Sequence, residues 1–110
     1  ESTFMQGGSA YPAYPSIVAS GANACILHYT ENRSLCQDGE LLLIDAGAEL
    51  ECYASDITRT FPVNGRFSGE QRALYDLVLA AQAAAIEEVR PARGWRDYHN
   101  AAVKVLAQGM

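Results

Sequence analysis

The sequence has no hydrophobic run close to the roughly 20 residues that a membrane-spanning helix needs. Its first residues also lack the basic, apolar and small-residue order of a signal peptide. Basic residues are few, with 8 Lys and Arg against 13 Asp and Glu and a formal net charge of -5. Nucleic-acid phosphates require clustered positive charge, and the sequence has no basic cluster. We therefore expect neither nucleic acid nor a membrane among its partners.

Cysteine is also scarce and shows no metal-binding or redox spacing. Cys25, Cys36 and Cys52 form no CxxC pair, and three thiols cannot all pair within one chain. Unpaired cysteines are typical of reducing compartments. The pattern predicts three reduced thiols in a cytoplasmic protein.

What the sequence does have is enough apolar material for a core. Hydrophobic residues make up 49% of the 110 positions and charged residues 19%, which is typical of one globular domain. The chain begins at Glu1 without Met and stops at Met110 directly after an amphipathic run. We expect residues 1–110 to be part of a domain that is truncated at both ends.

Short apolar runs separated by turn residues predict strands in the first half of the chain. The first 16 residues, rich in Gly, Pro and aromatics, predict a folded loop. Strands are predicted over 16–19, 41–48 and 53–61, with a loop over 31–39 and a tight turn at Asn64-Gly65. The run 41–48 is apolar at consecutive positions, which predicts burial on both faces of the strand.

The second half of the chain has helical periodicity. Ser68 followed by Gln71 is a capping-box pattern, which predicts the start of a helix that ends before Pro91 and is about 30 Å long. Its apolar residues fall on two faces, and a further helical segment spans 95–106. Tyr29 and Trp95 are expected in a core or an interface. The fold class is predicted to be α+β, with antiparallel strands and flanking helices.

Two aspartates in neighbouring strands are the chemically informative feature. Asp45 lies in the most apolar strand, where an isolated charge is costly. A hairpin centred between Leu50 and Glu51 would place Asp45 directly opposite Asp56, with Cβ atoms roughly 5 Å apart. Two such carboxylates repel unless one takes a proton or a cation lies between them. Mg, Mn, Ca or Zn would suit these ligands; the alternative is that one Asp caps a turn or accepts backbone hydrogen bonds.

Three sequence blocks carry a resemblance to a known family. Residues 25–30 (CILHYT), 44–47 (IDAG) and 55–65 (SDITRTFPVNG) closely resemble the Xaa-Pro aminopeptidase family. The resemblance extends from about Ser9 to Pro91. It implies roughly the first half of the pita-bread catalytic domain that methionine aminopeptidase, prolidase and creatinase share. It also implies two manganese ions and removal of an N-terminal residue that precedes proline.

The resemblance also implies roles for individual residues. Asp45 matches the first metal-ligand aspartate, and Asp56 matches the aspartate that bridges both ions. His28 matches a histidine that positions the substrate and assists proton transfer near the scissile bond. The family's other ligands, one His and two Glu, come later in the domain, and His99 matches none of them. We therefore expect the 110 residues alone to be inactive, to bind manganese weakly, and to self-associate through their unpartnered helix faces.

Two neighbours of Asp56 are candidates for supporting roles. Thr58 lies two residues further along the same strand, so its hydroxyl could hydrogen-bond the site from outside the ligand shell. Arg59 could hold a carboxylate bidentately, although a buried structural ion pair is the role we favour. Glu49 and Glu51 flank the hairpin turn and are expected to be solvated.

Three functions stay open at this point. The resemblance favours an aminopeptidase that acts on peptides with proline in second position, through a hydroxide that bridges two metal ions. A prolidase-type Xaa-Pro dipeptidase has the same fold. A pita-bread module that binds peptides without metal is the third, and the presence of both Asp45 and Asp56 argues against it because a binding module needs no facing carboxylates.

Overall fold

Short antiparallel strands form most of the first of two units, residues 1–66 and 67–110, in a computed structural model that describes all 110 residues. A five-residue helix α1 (Ser2–Gln6) precedes them, so the prediction of a loop over 1–16 is wrong at this helix and at the first strand. A 3-10 turn covers Gly21–Cys25. The strands are β1 (Tyr11–Pro12), β2 (Ile17–Ser20), β3 (Leu41–Ala46), β4 (Ala48–Leu50), β5 (Tyr53–Ala54) and β6 (Ile57–Pro62).

The strands form two three-stranded sheets, in the orders β1-β4-β5 and β2-β3-β6. The apolar β3 is the central strand of the second sheet, as its composition suggests. Its six residues are all half-buried, so the prediction of burial on both faces is met only in part. The small core of this unit lies beside β2 and contains Ile17, Ala19 and Tyr29, with Leu43 packed against it. The prediction that Tyr29 is a core aromatic is therefore confirmed.

A tight two-residue turn sets the register of the hairpin in which β3 pairs with β6 and β4 pairs with β5. Glu51 and Cys52 have φ angles of 51° and 71°, the left-handed pair that a type I′ hairpin turn requires. Leu50 therefore pairs with Tyr53, and Asp45 pairs with Thr58. The predicted centre between Leu50 and Glu51 is one residue too early, and the prediction that Asp45 lies directly opposite Asp56 is wrong.

Gly47 interrupts the long hairpin and divides each predicted strand into two. It is buried, and a Cβ atom there would overlap the carbonyl oxygen of Ser55 and lie 2.6 Å from its carbon. Only a residue without a side chain permits this close approach of two backbones. The ladder therefore changes from one sheet to the other at Gly47, directly beside Asp56.

The second unit consists of two helices that pack against each other, α2 (Gly69–Glu88) and α3 (Asp97–Gly109). The capping box at the start of α2 is confirmed: Gln71 N donates to Ser68 Oγ at 3.2 Å, and Ser68 N donates to Gln71 Oε1 at 2.9 Å. Ala81 is the only buried residue of α2, and Trp95 is 85% exposed. Neither helix, nor α1, combines the length and hydrophobicity needed to cross a membrane.

Candidate metal centre

The two aspartates lie on one face of the β2-β3-β6 sheet. Asp45 is half-buried in β3, and Asp56 is exposed just before β6 begins. Thr58 is the direct partner of Asp45, and Asp56 precedes Thr58 by two residues. Because side chains two residues apart point to the same face, Asp45 and Asp56 are diagonal neighbours rather than direct partners.

One tyrosine hydroxyl joins the two carboxylates. Tyr14 Oη donates to Asp45 Oδ1 at 2.5 Å and lies 3.0 Å from Asp56 Oδ1, also with donor geometry. Two carboxylate oxygens within hydrogen-bond distance of a single atom must themselves be close. The expectation that the two aspartates come together is therefore met, although by a different register from the one predicted.

This arrangement leaves the carboxylates short of positive charge. A hydroxyl has one proton, so Tyr14 can give a full hydrogen bond to only one of the two oxygens at a time. Partial burial and then the hydrogen bonds to both aspartates raise the pKa of Tyr14 well above its ordinary value, so the hydroxyl keeps its proton. None of the three ion pairs of the chain includes either aspartate. A cation between the carboxylates would relieve their repulsion, which is the chemistry expected of a metal centre.

The chain supplies only part of such a centre. It contains no group of three or more His, Cys, Asp or Glu side chains placed to hold a metal ion. Two hard oxygen ligands fit a divalent cation by their chemistry, but a complete shell for Mg or Mn needs about six donors. The residues present therefore fit a divalent ion as partial ligands.

His28 lies in a strained backbone conformation. Its φ angle is 56°, in the left-handed region that non-glycine residues rarely occupy, and its side chain is exposed. The next residue, Tyr29, is buried in the core against Ile17. Ile17 pairs directly with Asp45, so their side chains share one face of the sheet. His28 is thus attached to a residue anchored on the face that carries the aspartates.

A side-chain amide holds the loop that follows His28. Asn32 Nδ2 donates to the carbonyl of Ser16 at 2.7 Å, and Val18 N donates to Asn32 Oδ1 at 2.8 Å. The amide thereby pairs with β2 as a neighbouring strand would. The four-residue segment 29–32 is therefore fixed at both ends, since Tyr29 is anchored in the core and Asn32 on the strand edge.

The two predicted supporting residues differ in placement. Thr58 lies opposite Asp45 on the same face, where the sequence places it relative to Asp56. Arg59 pairs with Ile44 and therefore points to the other face of the sheet. It is exposed, donates from Nη1 to the carbonyl of Thr58 at 2.8 Å, and takes part in none of the ion pairs. The prediction of a buried ion pair at Arg59 is therefore wrong for this chain, and the structure does not bring Arg59 to the carboxylates.

Tyr14 is the residue that sequence analysis missed. It lies between β1, which pairs with β4, and β2, which pairs with β3, where the chain crosses from one sheet to the other. Two prolines flank it, Pro12 and Pro15, so the local signal is a proline-rich loop with an aromatic residue. Such a signal predicts irregular backbone but gives no indication that the hydroxyl reaches two aspartates more than thirty residues away.

Comparison with known proteins places this arrangement in a family. The sequence model of the family described as "Metallopeptidase family M24" matches residues 1–110. The chain belongs to metallopeptidase family M24. The chain is also similar to the Xaa-Pro aminopeptidase of Haemophilus influenzae, 54% identical over 100 residues, and to that of Escherichia coli K12, 47% identical over 107 residues. These alignments cover 91% and 97% of the chain, and 23% and 24% of the two relatives.

Solved structures of aminopeptidase P share the fold. The aminopeptidase PepP of Pseudomonas aeruginosa is 59% identical, with a TM-score of 0.94 over 96% of the chain and 24% of that protein. A zinc-substituted aminopeptidase P of Escherichia coli in complex with product is 47% identical, with a TM-score of 0.91 over the same shares. The α+β class with antiparallel sheets is thereby confirmed as that of aminopeptidase P. The chain spans about a quarter of the length of these relatives.

Proposed function

We propose that these residues form part of the catalytic domain of a cytoplasmic Xaa-Pro aminopeptidase, which releases the N-terminal residue that precedes proline. The convergence of the Asp45 and Asp56 carboxylates on one hydroxyl carries the proposal. A pair of acidic groups that share a single proton donor and no ion pair is costly in a protein that does not bind a cation. The similarity to relatives named Xaa-Pro aminopeptidase supports the choice of substrate.

In this proposal Asp45 and Asp56 hold two divalent ions, with manganese as the natural metal. The bound ions would supply Lewis acidity, which activates a water molecule and polarises the scissile carbonyl near neutral pH. His28 would orient the peptide and move a proton at the scissile bond, from a loop anchored by its neighbour Tyr29. Thr58 would support Asp45 from the opposite strand. Arg59 does not contact either carboxylate, and a role for it at the site stays a prediction.

A pair of matched substitutions in the full-length protein tests the metal assignment. Asp56→Asn should remove at least one bound manganese and abolish peptidase activity, because the amide lacks the charge that a divalent ion requires. Asp38→Asn makes the same chemical change at an exposed turn residue and should alter neither. An Asp56→Asn protein that folds and keeps near-normal turnover would show that Asp56 is not a ligand.

The choice of substrate separates this proposal from its alternatives. The full-length protein should cleave tripeptides and longer peptides that have proline in second position, releasing one amino acid. Cleavage of Xaa-Pro dipeptides alone would identify a prolidase-type enzyme instead. Binding of the peptides without any cleavage, in the presence of manganese, would identify a non-catalytic module.

The isolated 110-residue chain should be inactive and bind manganese weakly. Two carboxylates supply only part of a coordination shell, and no third His, Cys, Asp or Glu joins them. Calorimetry with manganese should give a dissociation constant well above the micromolar range. Sub-micromolar binding would mean that the site is built differently.

The same isolated chain should self-associate. Large apolar side chains of the second unit are exposed, among them Leu74 (62%), Val78 (59%) and Ile86 (63%) on α2. Apolar surface of this kind favours association with a further copy. Light scattering should detect a dimer or a larger oligomer, and a monodisperse monomer would contradict the proposal.

A further inference from the structure

The position of Tyr14 is determined by two strand pairings that meet at the carboxylates. On one side of Tyr14, Ala13 N donates to the carbonyl of Gly47 at 2.8 Å, next to the point where β3 ends. On the other side, Ile17 pairs with Asp45. The segment from Ala13 to Ile17 is therefore fastened at one end to the residue that follows β3 and at the other end to Asp45 in β3. The phenol ring has little freedom to leave the site, and it is half-buried.

The hydroxyl contacts both aspartates but is not itself one of the expected ligands. Its distances of 2.5 Å to Asp45 Oδ1 and 3.0 Å to Asp56 Oδ1 involve one oxygen of each carboxylate. The second oxygen of each, Oδ2, has no hydrogen bond to another side chain or to the backbone in the structure. Each carboxylate is thus held by one oxygen, and its other oxygen remains available to a cation.

We propose that Tyr14 is a positioning residue, whose hydroxyl holds the Asp45 and Asp56 carboxylates together before metal binds and thereby sets the affinity of the site for its ions. This inference rests on the proposed function, because it assigns the metal to these two aspartates. Hydrogen-bond partners behind metal ligands orient those ligands, and their removal typically weakens metal binding about 10- to 100-fold. Here one hydroxyl orients two ligands from different strands, so both should lose their orientation when it is removed.

Tyr14→Phe in the full-length protein tests the inference, with Tyr53→Phe as the matched control. Phenylalanine keeps the ring and removes only the hydroxyl, whereas Tyr53 is 83% exposed and has no side-chain hydrogen bond. Calorimetry on the metal-free proteins should show manganese affinity about 10- to 100-fold weaker for Tyr14→Phe and unchanged for Tyr53→Phe. Turnover of the Tyr14→Phe protein should return as manganese is raised, with KM for the peptide unchanged. Thermal unfolding of the metal-free variants should give similar midpoints.

A double-mutant cycle for manganese affinity separates positioning from a general effect on the fold. Because Tyr14 acts through Asp56 as well as Asp45, Tyr14→Phe should weaken binding less in a protein that already carries Asp56→Asn than in the wild type. Additive losses would overturn the inference, as would a Tyr14→Phe protein with wild-type manganese affinity. A different result would overturn the proposed function itself, namely intact manganese binding by the Asp56→Asn single variant.

Discussion

A methyl group at Gly47 should disturb both the stability of the protein and the metal centre. Gly47 does not have a positive φ angle, so alanine can adopt its backbone conformation and the cost is steric. Its Cβ would lie 2.6 Å from the Ser55 carbonyl carbon and 3.2 Å from Asp56 N, and closer still to the Ser55 oxygen. Ordinary contacts between such atoms are about 3.5–4.0 Å. The peptide between Ser55 and Asp56 must therefore move by at least about 1 Å relative to Gly47.

The size of both effects follows from that displacement. Overpacking at a buried position costs about 1–3 kcal/mol, and a clash with backbone rather than a flexible side chain should lie at the upper end of that range. The displaced peptide carries Asp56, and a misplacement of about 1 Å in a reacting centre can lower the rate about 100-fold. We therefore expect Gly47→Ala to lose about 2–3 kcal/mol in the free energy of unfolding and to bind manganese more weakly.

Urea unfolding and manganese calorimetry on the full-length protein measure the two effects. Gly69→Ala is the matched control, because a Cβ there has no neighbour within 4 Å. Gly69 begins α2, where alanine is favoured over glycine by up to about 1 kcal/mol, so this variant should be as stable as the wild type or slightly more stable. A Gly47→Ala protein that unfolds at the wild-type urea concentration and binds manganese normally would refute the reasoning.

Three further predictions concern the His28 loop and the cysteines. His28→Ala should lower turnover about 100-fold, the order expected of a proton-transfer group, and leave manganese stoichiometry unchanged. Loss of bound metal would instead show that His28 is a ligand, and His99→Ala is the control. Asn32→Ala should lower kcat without weakening manganese binding, because it releases the loop from β2; an effect no larger than that of Asn100→Ala would contradict this. Thiol titration of the denatured, unreduced chain should find all three exposed cysteines free, and a lower count would indicate a disulfide.

Local signals predicted the helices well and the strand register poorly. The capping box at Ser68 involves atoms within four residues, so the start of α2 could be recognised in isolation. The hairpin turn also involves few residues, but Glu51 and Cys52 are not the Asn-Gly pair that usually marks a type I′ turn. Their positive φ angles result from the strand pairing on either side. Because the turn has no such marker residue, the sequence predicts it one position too early, and every predicted cross-strand partner in the hairpin is therefore wrong.

The parts of the site that depend on distant pairings could not be predicted. Tyr14 reaches Asp45 and Asp56 only because β1 and β2 lie in different sheets and the chain crosses between them. Its neighbours in sequence indicate no more than a loop. The burial of a helix or strand face also depends on distant partners. The sequence predicts that both β3 and α2 are covered on two sides. In the structure β3 is half-buried, and α2 is mainly exposed.

The observed register separates Asp45 from Asp56 more than the predicted one does. Direct cross-strand partners have Cβ atoms about 4.5–5.5 Å apart, so two carboxylates at such positions lie close together. Diagonal neighbours are about 7–8 Å apart, a separation that admits one small group between their oxygens. In this chain the group is the Tyr14 hydroxyl, which lies 2.5 Å and 3.0 Å from the two carboxylates. The turn at Glu51–Cys52 and the close approach at Gly47 thus act together, because the first makes Asp45 and Asp56 diagonal and the second brings the strand of Asp56 near enough for both to share one donor.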